Sequence, residues 1–487
     1  MFADYVFETL ADKYADKILL VDIDHLNENT HFSDGFKARG FEIVMYQDDL
    51  TFRIEYEEKI KSKEGRIAVI VSPEQYVPYD IMRRLTSYAV SLADLFPRLN
   101  TSVLREGGTD ILDLVSSAYK RTYDQYSSAS ATELFILSDV FSKDNIRCNL
   151  EQNYHEVLLR SAGCTSYKDW FGIAEDKARI DCIAAEYDLN IDTTEINRSF
   201  LNYILTQYKK LSTCIDSQSP VLVSKAMDFM HEQSKKYVII VMDGMSEFDW
   251  HILSKSFSEI IYRKTSAFAM IPTVTSISRQ CLLSNKFPRE LDNPWSQNKE
   301  KNEFITCAKN MGFSENQISY QRGYEAEFSS TVRCGAVIIN DIDDMVHGQK
   351  QGRIGMFNDM KVMEKQNKLA AMTKRLLAAG FDVYITADHG NTPRKGIGKL
   401  MTTGVETETK SRCMIVLKGF ADKEGIKDKY GLIDFPKIYL PKEYDYLICD
   451  IGYSFDAKCL DVMTHGGISI DECIVPFITI KADENNG

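Results

Sequence analysis

Four short segments in the second half of the sequence place possible metal ligands directly after an apolar run. They are VIIVMDGM with Asp243, VIINDIDDMVHG with Asp343 and His347, VYITADHG with Asp388 and His389, and THGG with His465. A fifth segment, IPTVTS, supplies the hydroxyls of Thr273 and Thr275. Open α/β sheets gather their chemistry beyond the carboxyl ends of their strands, so we expect three carboxylates, three imidazoles and a hydroxyl to meet there.

Two divalent cations suit such a set of side chains. They bring four positive charges against three carboxylates, and the surplus attracts a phosphate. Mixed imidazole and carboxylate ligands fit Zn²⁺ or Mn²⁺ better than Ca²⁺, which prefers oxygen alone. Two such ions roughly 4 Å apart stabilise the attacking and leaving oxygens of an in-line displacement at phosphorus, and a hydroxyl bound to one of them becomes a nucleophile. The residue types therefore predict phosphate-ester chemistry.

The local spacing favours shared sites. Asp343 and His347 are four residues apart, so one turn of helix or a tight loop directs both at one ion. Asp388 and His389 are neighbours that would face opposite sides of a continuing strand, so they must lie past its end, where Gly390 permits a turn. Each segment alone has an ordinary alternative, such as a helix cap or a surface histidine. Their joint order, with three of only eight histidines, favours one site.

The elements that must position these residues divide the chain into three parts. Residues 1–100 alternate strand-like runs such as KILLVDID and RIAVIVS with helical stretches, which predicts a small α/β domain. Residues 101–235 are mostly helical in pattern and predict a helical domain. From YVIIVMD onward apolar runs again alternate with helical segments, so residues 236–481 form a third predicted domain. A rival site at Asp22, Asp24 and His25 has no partner motif, and a strand followed by a polar loop explains it equally well.

Length and composition are those of a soluble globular protein. The 487 residues suffice for two to four domains, with 44% hydrophobic and 26% charged residues. The net charge of −13 argues against bulk binding to nucleic acid, so any oligonucleotide contact must be local. The eleven cysteines are scattered, the first residues do not resemble a signal peptide, and no apolar run approaches membrane-spanning length. We expect a cytoplasmic protein that does not bind membranes.

The ordered set of motifs resembles the alkaline phosphatase superfamily, and within it the PglZ domain. The matching positions are Asp243 in VMDGM, Thr275 in IPTVTSISR, Asp343 and His347 in DIDDMVH, Asp388 and His389 in ADHG, and His465 in HGGISIDECIVP, over roughly residues 236–481. The resemblance implies an α/β catalytic domain of alkaline-phosphatase-like fold, with a mostly parallel sheet flanked by helices. It also implies that one ion is held by Asp243, Thr275, Asp388 and His389, and the other by Asp343, His347 and His465.

The resemblance further implies a reaction. Thr275 corresponds to the reacting second threonine of Pro-Thr-x-Thr in related diesterases, with Thr273 as the fallback. Its attack on phosphorus forms a phospho-threonyl intermediate, which water then hydrolyses from the vacated side. The implied activity is that of a metal-dependent phosphodiesterase or phosphatase, with nucleotides or oligonucleotides as candidate substrates. Asn285 departs from the glycine that relatives often have there, so their phosphate-contacting residues are not placed in this chain.

Several alternatives stay open. The amino-terminal α/β unit and helices resemble PglZ proteins of BREX-type phage-defence systems, which implies other defence proteins as partners, or else a packing platform for the catalytic domain. The segment TPRKGIGK, with Arg394, Lys395 and Lys399, is either a contact for further phosphates or a solvated surface turn. A sulfatase is disfavoured because IPTVTSISR has no cysteine to convert, and a phosphomutase needs a substrate pocket. A scaffold with a structural metal site is the alternative of a different class.

Overall fold

The structure, a computed structural model, describes residues 2–10, 15–62, 64–400, 404, 412–419 and 421–485. The chain forms two compact units, Met1–Asn153 and Tyr154–Gly487, each of which has its own sheet. The division into three domains at residues 1–100, 101–235 and 236–481 stays a prediction.

The first unit contains a four-stranded parallel sheet. Its strands are β1 (Lys17–Asp22), β2 (Phe41–Met45), β3 (Arg66–Val71) and β4 (Thr86–Val90), in the order β2-β3-β1-β4. Its helices are Phe2–Leu10, Asn27–Thr30, Ser33–Lys37, Asp49–Lys61, Tyr79–Met82, Leu92–Leu95, Thr101–Gly107, Leu112–Tyr119 and Ala129–Phe135. Asp22 accepts the backbone N–H groups of Leu26 and Asn27, as in the strand-and-loop alternative for this segment.

The second unit is built on a six-stranded sheet. The strands of this unit are β5 (Tyr237–Met242), β6 (Arg263–Phe268), β7 (Ile318–Arg322), β8 (Cys334–Ile339), β9 (Asp382–Thr386), β10 (Thr392–Gly396), β11 (Met414–Leu417), β12 (Ile433–Asp434), β13 (Asp445–Ile448), β14 (Tyr453–Ser454), β15 (Asp461–Thr464) and β16 (Ile474–Ile480). The large sheet has the order β6-β16-β9-β5-β8-β7. Strands β9, β5, β8 and β7 are parallel, and β16 is antiparallel to both of its neighbours.

Strands β5 and β8 are buried along their whole length, which is usual for parallel strands covered on both faces. The longer helices of this unit are Tyr167–Glu186, Thr194–Gln207, Ala226–Gln233, Glu247–Leu253, Thr275–Ser284, Glu300–Asn310, Asp341–Gly348, Gly352–Gln366 and Lys368–Ala378. The shorter helices Lys423–Tyr430, Ile470–Cys473 and Ala482–Asn485 follow, and the helix Lys143–Ser161 contains the boundary between the units. The predicted α/β fold with a mostly parallel sheet flanked by helices is confirmed.

Two smaller sheets complete the second unit. One has the order β14-β10-β15 and the other β11-β13-β12. Strand β10 pairs antiparallel with β15, so the segments that flank these strands are brought side by side. Among the residues that the structure describes, no helix is both long enough and apolar enough to span a bilayer.

Candidate functional site

Asp243 marks the carboxyl end of β5. It follows the last residue of that strand, and its N–H donates to the carbonyl of Ile339 at 2.8 Å, which continues the pairing with β8. Gly244 comes next, with a φ of 78°. A Cβ at Gly244 would lie at an ordinary contact distance of 3.5 Å from Asp343, so this turn favours glycine for its backbone conformation. The turn brings the ends of two neighbouring strands together.

Asp343 and His347 lie on one helix that begins two residues after β8. The spacing of four residues puts both side chains on the same face, and His347 Nε2 is 3.3 Å from Asp343 Oδ2. Of the two arrangements considered from the sequence, the structure has the helical turn. The His347 side chain is 39% exposed, so this side of the site opens to solvent.

Asp388 and His389 follow β9 after Thr386 and Ala387, and both are fully buried. His389 Nδ1 is 3.0 Å from the carbonyl of Gly390, which leaves Nε2 directed at Thr275. Both residues lie past the end of β9, as expected, and Gly390 does not adopt a left-handed φ there. Glycine is required instead because a Cβ there would overlap the carbonyl oxygen of Asp471.

His465 reaches the site through the small sheet. Strand β10 begins three residues after His389, strand β15 ends directly before His465, and the two strands pair. The rings of His389 and His465 are stacked with centroids 4.1 Å apart. His465 Nδ1 is 2.8 Å from the carbonyl of Thr273, and its Nε2 is 3.4 Å from Asp343 Oδ1. The His465 imidazole thus lies between His389 and Asp343.

These residues form two groups with the spacing of metal ligands. We call them the Asp243 group, which is Asp243, Asp388 and His389, and the Asp343 group, which is Asp343, His347 and His465. Within each group the ligand atoms lie within 4.8 Å of one another. The family resemblance divides these residues in the same way and adds Thr275 to the Asp243 group.

The side chains present fit divalent cations. Among the described residues, the buried Asp343 Oδ1 and Asp388 Oδ2 have no hydrogen-bond partner. A buried carboxylate oxygen without a partner is costly, and coordination of a cation removes that cost. The backbone carbonyls at Nδ1 of His389 and His465 leave each Nε2 directed into the site, which is usual for histidine ligands. The mixed nitrogen and oxygen donors suit Zn²⁺ or Mn²⁺.

Thr275 is the first residue of its helix and lies next to both groups. Its Oγ1 is 3.1 Å from His389 Nε2 and 3.4 Å from Asp243 Oδ1. It also lines a cavity of about 760 Å³ together with all three residues of the Asp343 group. The cavity continues past Thr275 along Asn293, Trp295, Ser296, Gln297, Asn298 and Arg412. A molecule in this cavity can therefore reach the Thr275 hydroxyl.

Thr273 has a different environment. Its hydroxyl donates to Glu472 Oε2 at 2.8 Å and accepts the N–H of Gly466 at 2.9 Å, and the residue is fully buried. Glu472 also accepts the N–H of Gly467 at 2.8 Å. Thr273 therefore holds the His465-Gly466-Gly467 segment in place, and its hydroxyl is already engaged on both sides.

The charges in the site shift several pKa values. Burial and the nearby charge of Asp243 raise the pKa of Asp388 to about 7. Burial and the charge of His389 lower the pKa of His465 to about 4, which keeps that imidazole neutral at physiological pH. Burial would lower the pKa of His389, but the charges of Asp388 and Asp243 outweigh it and raise this pKa. For Asp343, burial is outweighed by the hydrogen bond from His347 and by the neighbouring histidines, so its pKa lies below the ordinary value.

Two buried charged residues near the site received no role from the sequence. Arg279 pairs with Asp243 and with Glu300, and its side chain is 1% exposed. Glu472 is fully buried and supports the His465 segment through Thr273 and Gly467. Both belong to motifs quoted above, IPTVTSISR and HGGISIDECIVP. The sequence did contain a sign of their importance, since each is a charged residue within a motif made largely of apolar or small residues.

Two interpretations of single positions change with the structure. Arg394 is neither a phosphate contact nor a solvated turn residue, because Thr392–Gly396 is a strand and the buried Arg394 pairs with Glu472. Lys395 and Lys399 are exposed. Asn285 directly follows the helix Thr275–Ser284 with a φ of 53°. Asparagine is the residue that most readily replaces glycine in this left-handed conformation, so its presence has a conformational reason.

The fold and the residues at its strand ends define an alkaline phosphatase-like domain. Residues 221–480 match the family described as "BREX system PglZ alkaline phosphatase-like domain". The match covers more than half of the sequence, and the chain belongs to the PglZ family.

Several solved structures are similar to this chain at low sequence identity. Murine ectonucleotide pyrophosphatase/phosphodiesterase 5 is 12% identical, with a TM-score of 0.36 over 50% of this chain and 88% of its own. The human form is 13% identical, with a TM-score of 0.36 over 51% and 89%. Phosphonoacetate hydrolase from Sinorhizobium meliloti 1021 is 11% identical, with a TM-score of 0.31 over 50% and 90%. No curated protein sequence matches the chain.

Proposed function

We propose that this chain is a metal-dependent phosphoric-ester hydrolase, a phosphodiesterase or phosphatase, with Thr275 as its nucleophile and one divalent ion in each ligand group. The observation that carries the proposal is the position of Thr275 Oγ1. It contacts His389 and Asp243 of one group and opens into a cavity lined by the whole of the other group. Zn²⁺ or Mn²⁺ is the proposed metal at both positions.

The reaction follows from the placement of the chain's own residues. Bound cations supply charge that stabilises the phosphoryl oxygens and lowers the pKa of a coordinated hydroxyl. The Thr275 oxygen loses its proton and attacks phosphorus, the new Oγ–P bond forms, the ester P–O bond breaks, and the leaving oxygen takes up a proton and departs as the alcohol. Water entering from the side of the Asp343 group then forms a P–O bond as the Oγ–P bond breaks, which releases the phosphate product and restores Thr275. The exposed His347 leaves this side accessible to solvent.

The shape of the cavity supports a substrate larger than inorganic phosphate. Its volume of about 760 Å³ is in the range of small-molecule sites. An aromatic ring at Trp295, amide side chains such as Asn293 and Asn298, and the cationic Arg412 line the part beyond Thr275. These groups suit a nucleotide or a short stretch of oligonucleotide, whose bases stack on aromatic rings and whose phosphates bind arginine. The net charge of −13 keeps such contacts local.

The biological setting is also part of the proposal. Because the matching family is described as a BREX system domain, we assign the chain to a BREX-type defence system against phage, in the cytoplasm and with other proteins of that system as partners. The amino-terminal α/β and helical segments are the proposed partner-binding parts.

Hydrolysis of bis-p-nitrophenyl phosphate and p-nitrophenyl phosphate by the full chain, with Mn²⁺ or Zn²⁺, tests the assignment. Thr275→Ala should lower turnover by at least a thousandfold, because the nucleophile is lost, while both ions still bind, because Asp243, Asp388 and His389 remain. Thr273→Val is the matched control. It should lower the stability of the fold but leave measurable turnover, because its hydroxyl holds Glu472 and Gly466.

The outcomes separate the candidates. Turnover that disappears with chelator and with Thr275→Ala supports the hydrolase. Turnover that survives Thr275→Ala but is lost in Thr273→Val would identify Thr273 as the nucleophile. A chain that binds metal yet turns over neither ester nor an oligonucleotide would favour the scaffold with a structural metal site.

A further inference from the structure

Arg279 is a buried positive charge at the edge of the Asp243 group. Its Nη1 is 2.5 Å from Asp243 Oδ2 and 3.9 Å from Asp388 Oδ2. On the other edge of the guanidinium, Nε donates to Glu300 Oε2 at 2.7 Å. The side chain is only 1% exposed. Arg279 is thus held between the metal-ligand group and a third carboxylate.

The surrounding structure fixes this position. Arg279 lies one helical turn after Thr275, on a helix whose residues are almost all buried. Glu300, at the start of the helix Glu300–Asn310, accepts a further hydrogen bond from the hydroxyl of Tyr320. Arg279 does not line the cavity in front of Thr275. It is therefore not placed to bind the phosphate of a substrate, and the charge it supplies is directed at the ligands themselves.

The contacts of Asp243 show how Arg279 acts on the group. One oxygen of this carboxylate binds Arg279, and the other faces Thr275 Oγ1 at 3.4 Å and His389 Nε2 at 3.7 Å. The same guanidinium approaches Asp388, the second carboxylate. A fixed positive charge in a buried site stabilises two neighbouring carboxylates without an ion, and it repels a divalent cation placed among them. Among the described residues, Asp343 forms ion pairs only with histidines.

We propose that Arg279 is a built-in counter-charge for the Asp243 group, which lowers the affinity of this group alone for a divalent cation and lets it exist in a metal-free form. The inference rests on the proposed function of the two ligand groups. The ion next to Thr275 then exchanges with solution, and the occupancy of this position depends on the concentration of free metal.

Zinc binding by the full chain, measured by competition with a chromophoric chelator, tests this. His465→Gln first disables the Asp343 group, so that the remaining ion reports on the Asp243 group. In that background Arg279→Gln should bind Zn²⁺ at least tenfold more tightly than the arginine form. Arg279→Lys keeps the charge and should stay within about threefold of arginine, a free-energy change of about 0.7 kcal/mol.

Glu300→Gln gives a test with the opposite sign. It removes the partner that draws Arg279 away from the ligands, so zinc affinity of the Asp243 group should fall several-fold. The double change Arg279→Gln with Glu300→Gln removes the arginine together with its Glu300 partner, so that Asp243 alone loses a buried counter-charge, and it should still bind zinc more tightly than the parent. It keeps the test decisive even if Arg279→Gln alone does not fold.

The results distinguish this inference from the proposed function. A wild-type chain that binds neither Zn²⁺ nor Mn²⁺ would contradict both. Two bound ions with an affinity at the Asp243 group that Arg279→Gln leaves unchanged or weakens would overturn the inference alone, because Arg279 would then only orient Asp243. Tighter binding in Arg279→Gln and in the double variant supports it.

Discussion

Asp388→Asn should stabilise the metal-free protein at neutral pH, although it removes a proposed ligand. Burial and the charge of Asp243 raise the pKa of the Asp388 carboxyl from 3.8 to about 7. A rise of about three pKa units corresponds to about 4 kcal/mol against the charged form. Asparagine has no charge to bury and keeps an oxygen that can accept the N–H of His389, which now donates to Asp388 Oδ1 at 3.1 Å. We expect a gain of about 2–4 kcal/mol.

The sign of the pH dependence follows from the same shift. The folded state holds the Asp388 proton to a higher pH than the unfolded state, so this group lowers stability as pH rises from about 4 to about 7. The advantage of Asp388→Asn should therefore be absent near pH 4 and complete above pH 7. Zinc should reverse the order, because an ion that binds only the folded wild-type chain stabilises it by mass action.

Urea unfolding in the presence of a chelator measures the effect. All three tryptophans, Trp170, Trp250 and Trp295, lie in the second unit, so their fluorescence follows the unit that contains the site. Asp343→Asn is the matched control with the opposite sign. Burial of Asp343 is outweighed by its histidine neighbours, which lower its pKa, so this carboxylate adds stability above its unfolded pKa and its loss should destabilise the metal-free chain. Equal stability of Asp388→Asn and the wild type from pH 5 to 8 would refute the reasoning.

Two further predictions concern the residues behind the ligands. Gly390→Ala should destabilise the second unit by about 1–3 kcal/mol and lower metal content, because the new methyl group would overlap the carbonyl of Asp471 and displace His389. The control Gly172→Ala, in a helix with nothing within 4 Å of the added carbon, should be neutral or slightly stabilising in the same unfolding assay. Glu472→Gln should cost about 3–5 kcal/mol, because the buried Arg394 loses its charged partner. An unchanged unfolding midpoint in urea for Glu472→Gln would show that this pair does not hold the His465 segment.

The sequence could predict those ligands that directly follow a strand, because open α/β sheets gather their functional residues beyond the carboxyl ends of the strands. A ligand such as Asp243 directly follows a fully buried parallel strand, so the apolar run and the polar residue after it define both the element and the position. The helical spacing of Asp343 and His347 is equally local. His465 follows a strand of a different, smaller sheet, and only the pairing of β10 with β15 brings it to His389. Both the apolar run before His465 and the family resemblance placed it in the site, but neither showed that its strand belongs to a separate sheet.

The charged residues behind the ligands could not be assigned in this way. Arg394 lies in a segment rich in glycine and lysine, which is typical of exposed loops, yet its partner Glu472 is 78 residues away. Arg279 is 36 residues from Asp243 and 21 from Glu300. Neither pair has a periodic pattern, because an ion pair between distant segments depends on tertiary packing. Gly390 shows the same limit, since the need for glycine comes from the carbonyl of Asp471 and not from its own backbone angles.

The two ligand groups balance their charge in different ways, and this difference links the predictions made here. Asp343 contacts two imidazoles, which also bind metal through the same atoms, so an ion entering there replaces existing contacts. Asp243 is neutralised by Arg279, which cannot be a ligand and stays in place when an ion enters. Asp388 has an oxygen without a hydrogen-bond partner among the described residues and a pKa raised by burial, so its charged form is costly in the metal-free state. Removing Arg279 should lower the stability of the metal-free chain and tighten zinc binding. Removing the Asp388 charge should raise the stability of the metal-free chain and abolish zinc binding at the Asp243 group. The two variants should therefore shift both stability and zinc affinity in opposite directions.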